Sequence, residues 1–359
     1  MREVPRPRFG WLDIIRAMAV LLVLWDHFVG QATEWLKVAF YPAQFIKLKV
    51  FEPLAITQSG GFLGVCLFFL ISGYIIAGVS AREDMRTFAI RRFLRIFPPL
   101  IVATVTSIAM RSWLASEPLT ATAADILRNF FLVNYFHHPQ VILVGVAWSL
   151  VIEVTFYLLV LVTLPLLHRQ HLSIYLPFTL LVLSVLFVHF NAAFGPGFQA
   201  FAVSFLYIPI LSIGVTFALL ERGALSVRTF MIHGALAAGV FMYATWRIYP
   251  QFLQPADSYP VSALMATVIF GITWANRSRI RPIRALTLVA VTSYSLYLFH
   301  DVVGWTVLRT TYQSDPGAGF LSALTIAVAA TTVAVVIVYN LVERPSRWLA
   351  TRLTRNRVR

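Results

Sequence analysis

The sequence predicts an all-α integral membrane protein of about ten transmembrane helices, with both termini on the cytoplasmic side. Three observations carry that prediction: few charges, long apolar stretches and a lopsided distribution of arginine. Of 359 residues, 59% are hydrophobic and only 12% charged, about half the ~25% charged fraction of an ordinary soluble domain. A membrane span needs roughly 20 mostly apolar residues. Ten stretches qualify, at about 12–30, 61–80, 96–115, 147–167, 172–190, 199–220, 229–247, 259–276, 285–307 and 320–342. With a cytoplasmic N-terminus, 21 of the 29 basic residues fall in inside segments and seven in outside ones, leaving Arg16 within a span. That bias orients the bundle and assigns it to the cytoplasmic (inner) membrane as a multi-pass protein.

The net charge of +14 does not imply nucleic acid as a partner. It is carried by 26 Arg and only three Lys (Lys37, Lys47 and Lys49), and the arginines sit in short segments between apolar runs. One cysteine, Cys66, permits no intramolecular disulfide. No cleavable leader is expected at the N-terminus, because Asp13, Arg16, Asp26 and His27 interrupt the first apolar run. A single transmembrane domain over 1–359 is predicted, with no internal repeat and no separate soluble domain.

The first span holds the strongest candidates, since a charge within a span costs about 2.5–3.5 kcal/mol on insertion scales and marks function by default. Arg16 and His27 are eleven residues apart. At ~100° per residue this places both on one helical face, roughly 16 Å apart along the axis. Asp13 shares that face one turn earlier and is placed to pair with Arg16. Asp26 points about 100° away from His27. A histidine in a span is as compatible with packing as with proton transfer. The arginine on its face favours a phosphate-bearing donor gripped at the cytoplasmic edge, with His27 as general base deeper in.

After it, residues 31–60 combine Trp35, Phe40, Tyr41, Phe45 and Phe51 with the three lysines, as in a segment lying on the membrane surface. The loop following the second span reads Arg91-Arg92-Phe93-Leu94-Arg95-Ile96-Phe97-Pro98-Pro99. Arg92 and Arg95 suit a diphosphate, although loop arginines are also ordinary inside-facing charge. Residues 116–146, with Phe130, Phe131, Tyr135 and Phe136, read equally as an aromatic belt or as a cap over the acceptor. Glu153, near the outer end of the fourth span, is placed either to orient His27 or to pair with an arginine of another span. His300 is an acid–base group or a packing residue. Ser72 is an acyl carrier or, more simply with Gly73, a close helix contact, and Tyr74 beside it is equally open. No Gly-rich phosphate loop or metal motif is present.

Taken in order, these segments resemble the membrane acyltransferase-3 family of O-acyltransferases. The resemblance lies in Leu12-Asp13-Ile14-Ile15-Arg16 with His27, in Gly64 to Tyr74, in Arg92 to Pro98, in Trp148-Ser149-Leu150 with Glu153, Phe156 and Tyr157, in Ser293 to His300, and in Glu343-Arg344-Pro345. It implies about ten spans, an acyl-CoA donor (acetyl-CoA by default) on the cytoplasmic side, and transfer to a hydroxyl of a glycan or glycolipid. It implies catalytic roles for His27 and Arg16 with support from Glu153. Cys66 departs from it, standing where many members carry Asp, and the esterase-like extra domain of some members is not expected here. A macrolide-type acceptor is the alternative within the class. A glycolipid transporter or flippase is the alternative outside it, since polar residues in spans also mark transport paths.

Overall fold

Helices fill all ten stretches marked out by hydropathy. The structure, a computed structural model, describes residues 10–80, 83–167, 172–254 and 258–354. Arg2, Arg6, Arg8, Arg82, Arg169, Arg355, Arg357 and Arg359, which enter the charge bias, lie outside the described residues. In chain order the main helices are α1 (Gly10–Trp25), α2 (Gly61–Ser80), α3 (Met85–Ala109), α4 (Trp148–Leu167), α5 (Tyr175–His189) and α6 (Ile208–Glu221). They continue with α7 (Val227–Ile248), α8 (Tyr259–Ala275), α9 (Arg284–Val291), α10 (Ser293–Ser314) and α11 (Phe320–Val338). Among the described residues the only extended pairing is an isolated bridge between Ile56 and Ser258.

Among the described residues six helical stretches, those holding α2, α3, α4, α6, α7 and α11, are long and apolar enough to cross a membrane. The pair α9 and α10, bent by 60° at its break, makes a seventh if it is one span. The other three expected spans are helical but shorter: α5 has 15 residues, α8 has 17, and α1 runs 16 before its winding changes. Ten is therefore the number of apolar helical stretches, and six or seven the number of crossing length.

The third span differs from expectation. α3 starts at Met85, well before residue 96, capped by Asp84, whose carboxylate accepts from the Thr87 amide at 2.6 Å. Pro98 and Pro99 lie inside it instead of opening it. Each proline deletes one backbone donor, and the Tyr294 hydroxyl donates to the Ile96 carbonyl at 2.8 Å in this stretch. As a result Arg91, Arg92 and Arg95 ride on a helix face and not in a loop.

The core is built on backbone-to-backbone approach. α2 lies against α6, which is buried along nearly its whole length. A Cβ added at Gly73 would come 2.0 Å from the Leu211 carbonyl oxygen, and one at Gly214 would come 2.2 Å from that of Leu70. Small residues of this kind let apolar helices associate without a polar partner. Gly73→Ala forces two backbones apart and is expected to cost about 3 kcal/mol, the upper end for overpacking. Thermal unfolding in detergent measures this against Gly239→Ala in α7, where an added Cβ meets nothing within 4 Å. α1 sits inside the bundle against α2, α8, α9 and α10. Outside it, the short helices Ala32–Trp35 and Tyr41–Ile46 expose Trp35, Tyr41 and Phe45, as a surface-lying segment should.

Candidate active site

The winding of α1 changes at its histidine. Asp26–Gln31 is π-helical, and so is His300–Trp305 within α10. π turns are rare and concentrate at functional sites, because the extra residue re-aims the side chains around it. Here the two turns bring the two histidines together: His300 Nε2 and His27 Nδ1 are 2.9 Å apart.

The proton positions follow from the outer partner. His300 Nδ1 lies 3.2 Å from the Leu296 carbonyl oxygen. A carbonyl only accepts, so His300 Nδ1 carries a hydrogen and the Nε2 of the neutral ring is an acceptor. His27 Nδ1 therefore donates to it, which leaves the lone pair of His27 on Nε2. No protein group bonds that Nε2 among the described residues. The His27 ring lines a cavity of ≈ 710 Å³, within the ~300–1,000 Å³ of small-ligand sites.

A second, narrower cavity of ≈ 70 Å³ is lined by Arg16, Arg95, Glu153, Ser72, Tyr294 and Tyr297. Among the described residues no hydrogen bond or ion pair engages the guanidinium of Arg16 or of Arg95; the two repel each other, and Asp13 and Glu153 offset this only from a distance. Buried charge without a partner is costly, so a place where two such groups converge is suited to an anion. Val65 and Tyr297 line both cavities. The Tyr297 hydroxyl stands in this common wall, 2.7 Å from Ser149 Oγ and donating to the Val146 carbonyl at 3.1 Å. One helix serves both spaces: Ser149, Leu150 and Glu153 of α4 face the arginines, while Trp148, Val151 and Ile152 face His27.

Several expected pairings are corrected. Glu153 does not orient His27. Its carboxylate accepts from Ser72 at 3.0 Å and from Tyr157, on the arginine side of the wall, and the partner of His27 is His300. Asp13 forms no ion pair with Arg16 among the described residues; it accepts from Thr287 at 3.2 Å. Arg92 does not join Arg95 in the cavity. It turns to Glu83, 3.7 Å away, and over the rings of Phe88 and Tyr157. Tyr74 stands apart from the site, donating to Glu221 at 2.5 Å and packed edge-on against Trp11. The close helix contact expected of the Ser72-Gly73 pair is made by Gly73, while Ser72 serves Glu153.

Asp301 of the larger cavity escaped the sequence reading, which places Tyr135 only within the belt or cap of 116–146. Asp301 accepts from the Gly145 amide at 2.8 Å and acts electrostatically on His27. Its only sequence signal is its place beside His300. Tyr135 lines the cavity with a buried hydroxyl that has no partner among the described residues, so the segment 116–146 caps this space and also exposes Phe131 and Phe136. Among the described residues no group of three or more His, Cys, Asp or Glu is disposed to hold a metal ion.

The fold and the site together define a helical membrane protein with two adjoining cavities, one lined by two arginines and the other by a paired histidine. A family model described as an acyltransferase domain matches residues 9–340, and the chain belongs to that family, acyltransferase-3. It is 26% identical to a Staphylococcus aureus (strain COL) protein named "Putative O-acetyltransferase", over 84% of this chain and 51% of the relative. It is also 26% identical to nodulation protein 10 of Rhizobium leguminosarum bv. viciae, over 96% of this chain and 95% of that protein. A shorter match, 31% identical over 28% of this chain and 19% of the relative, is to the peptidoglycan O-acetyltransferase of Listeria monocytogenes. The chain thus spans about half the length of the Staphylococcus relatives it matches. No solved structure matches it.

Proposed function

We propose that this chain is an O-acyltransferase of the cytoplasmic membrane. It moves an acyl group, by default acetyl, from acyl-CoA to a hydroxyl of a carbohydrate-containing acceptor such as a cell-envelope polysaccharide, lipopolysaccharide or lipo-oligosaccharide. The observation that carries the reading is the common wall: a cavity with two unpaired arginines meets a larger cavity holding an imidazole base. The names of the O-acetyltransferase relatives support it. Both termini are assigned to the cytoplasm, with α1, α5, α8 and the bent α9–α10 pair completing ten crossings.

In this scheme Arg16 and Arg95 hold the donor's phosphates, and its pantetheine arm extends toward Tyr297. The acceptor occupies the larger cavity with its hydroxyl on His27 Nε2. The imidazole takes the hydroxyl proton as the oxygen attacks the thioester carbonyl, and the tetrahedral intermediate collapses with loss of the CoA thiolate. The imidazolium returns its proton to that sulfur. Through this cycle His300 keeps His27 in one tautomer, the supporting part that a carboxylate plays in serine hydrolases. Labelled acetyl-CoA given to the purified protein tests the reading. Transfer or hydrolysis that survives unchanged in His27→Ala would overturn it.

The histidine pair yields its own prediction. His300→Leu removes the acceptor for His27 Nδ1 and frees the wrong tautomer, so kcat should fall about 10²-fold with little change in KM for acetyl-CoA. His300→Gln retains an acceptor oxygen and is expected to recover much of that loss. Equal rates for the two variants would assign His300 to packing alone.

A further inference from the structure

The two cavities differ in the sign of their charge. The donor side presents Arg16 and Arg95 against the single carboxylate Glu153, an excess of positive charge. The lining of the ≈ 710 Å³ cavity contains no Lys or Arg, and its charged groups are the carboxylates Asp26 and Asp301. Both are fixed in place. Asp26, only 2% exposed, accepts from Gln31 Nε2 at 2.7 Å, and Gly61 lies so close that an added Cβ would be 2.3 Å from its Oδ2. Asp301 is held by the Gly145 amide. The remaining polar lining is neutral. The Tyr135 hydroxyl is buried with no partner among the described residues, an arrangement that a bound hydroxyl would satisfy, and aromatic residues such as Trp148 and Tyr207 line the same cavity.

Resting on the carbohydrate reading above, we infer that this cavity selects an uncharged sugar as acceptor and excludes uronic, sialic and phosphorylated sugars. The physical reason is repulsion between like charges in a half-enclosed site inside the helical bundle, where the surroundings screen less than bulk water. Two like charges there interact far more strongly than in solvent, and no cation in the lining offsets them. The selection also serves the division of labour. An anionic acceptor would be drawn toward the arginines that the donor's phosphates need, whereas a neutral one is held by hydroxyl and aromatic contacts and stays on the His27 side. Asp301 has the larger part, being adjacent to His300 and acting on His27 itself.

The test uses the full-length protein in detergent or liposomes, with labelled acetyl-CoA and three matched oligosaccharides. One ends in a neutral hexose, one in the corresponding uronic acid, and one in the methyl ester of that acid. The neutral sugar should be acetylated, with the acid slower by tenfold or more in kcat/KM and the ester close to the neutral sugar. In Asp301→Asn the ratio of neutral to acidic rates should narrow, whatever the absolute rates, and Asp26→Asn should narrow it further. Equal use of acid and ester by the wild type overturns the inference, as does a ratio that neither variant moves. A different result sinks the carbohydrate reading itself: none of the three sugars accepts label while the protein passes it efficiently to a non-sugar hydroxyl.

Discussion

His27→Ala should abolish acyl transfer, lowering kcat by about 10³-fold, within the range for removal of a positioned general base. The size of the effect follows from the isolation of the ring. Its Nε2 lone pair faces the larger cavity, and the two carboxylates there, Asp26 and Asp301, are already bonded to Gln31 and Gly145. His300 is a poor replacement, because it is fully buried behind the His27 ring and does not line that cavity. Rates with labelled acetyl-CoA measure the loss, and binding of the donor should survive, since it depends on the other cavity. A variant that loses donor binding and turnover together would place His27 in donor recognition instead.

The second large effect is expected at Arg16. Arg16→Ala removes one of two unpaired guanidiniums, and a charge-assisted hydrogen bond contributes about 1.5–3 kcal/mol, so kcat/KM for acetyl-CoA should drop about 10- to 100-fold. The control is a donor cut back to S-acetyl-pantetheine, which carries no phosphate. Wild type and Arg16→Ala should use it alike. If the truncated donor suffers as much as acetyl-CoA, Arg16 acts on something other than phosphate. Arg16→Lys should restore only part of the rate, because an ammonium keeps the charge but loses the planar fork.

Much of this arrangement is legible along single helices and little of it between them. Periodicity alone sends Arg16 and His27 inward from one helix, and both line buried cavities. It could not tell that a wall divides those cavities, since Tyr297 comes from a helix far away in sequence. Glu153 illustrates the same limit. A carboxylate inside a span must have partners, which is correct, but which partners is a matter of cross-helix distance, and its neighbours are Ser72 and Tyr157. The start of α3 was misplaced for a different reason. Two adjacent prolines ordinarily open a helix, and only the surrounding bundle makes the winding tolerable before them. Asp301 carried no signal because an acidic residue near a span end has an ordinary explanation, and Tyr135 stood out only as one aromatic of 116–146, whose belt and cap readings local sequence does not separate. The hydropathy of the ten stretches, by contrast, depends on local composition and is matched by helix throughout.

The π turns at the two histidines carry a consequence for chain length. Each holds one residue more than an α turn would in the same space. That surplus acts as a shim, swinging everything beyond it by about 100° relative to what precedes it. Removing Val29 from Asp26–Gln31 would leave every named side chain present. It would still turn the stretch leading to Trp35 off its contact with Trp305 and carry the imidazole off its partner. The pairing of His27 with His300 is thus written in spacing as well as in residue identity.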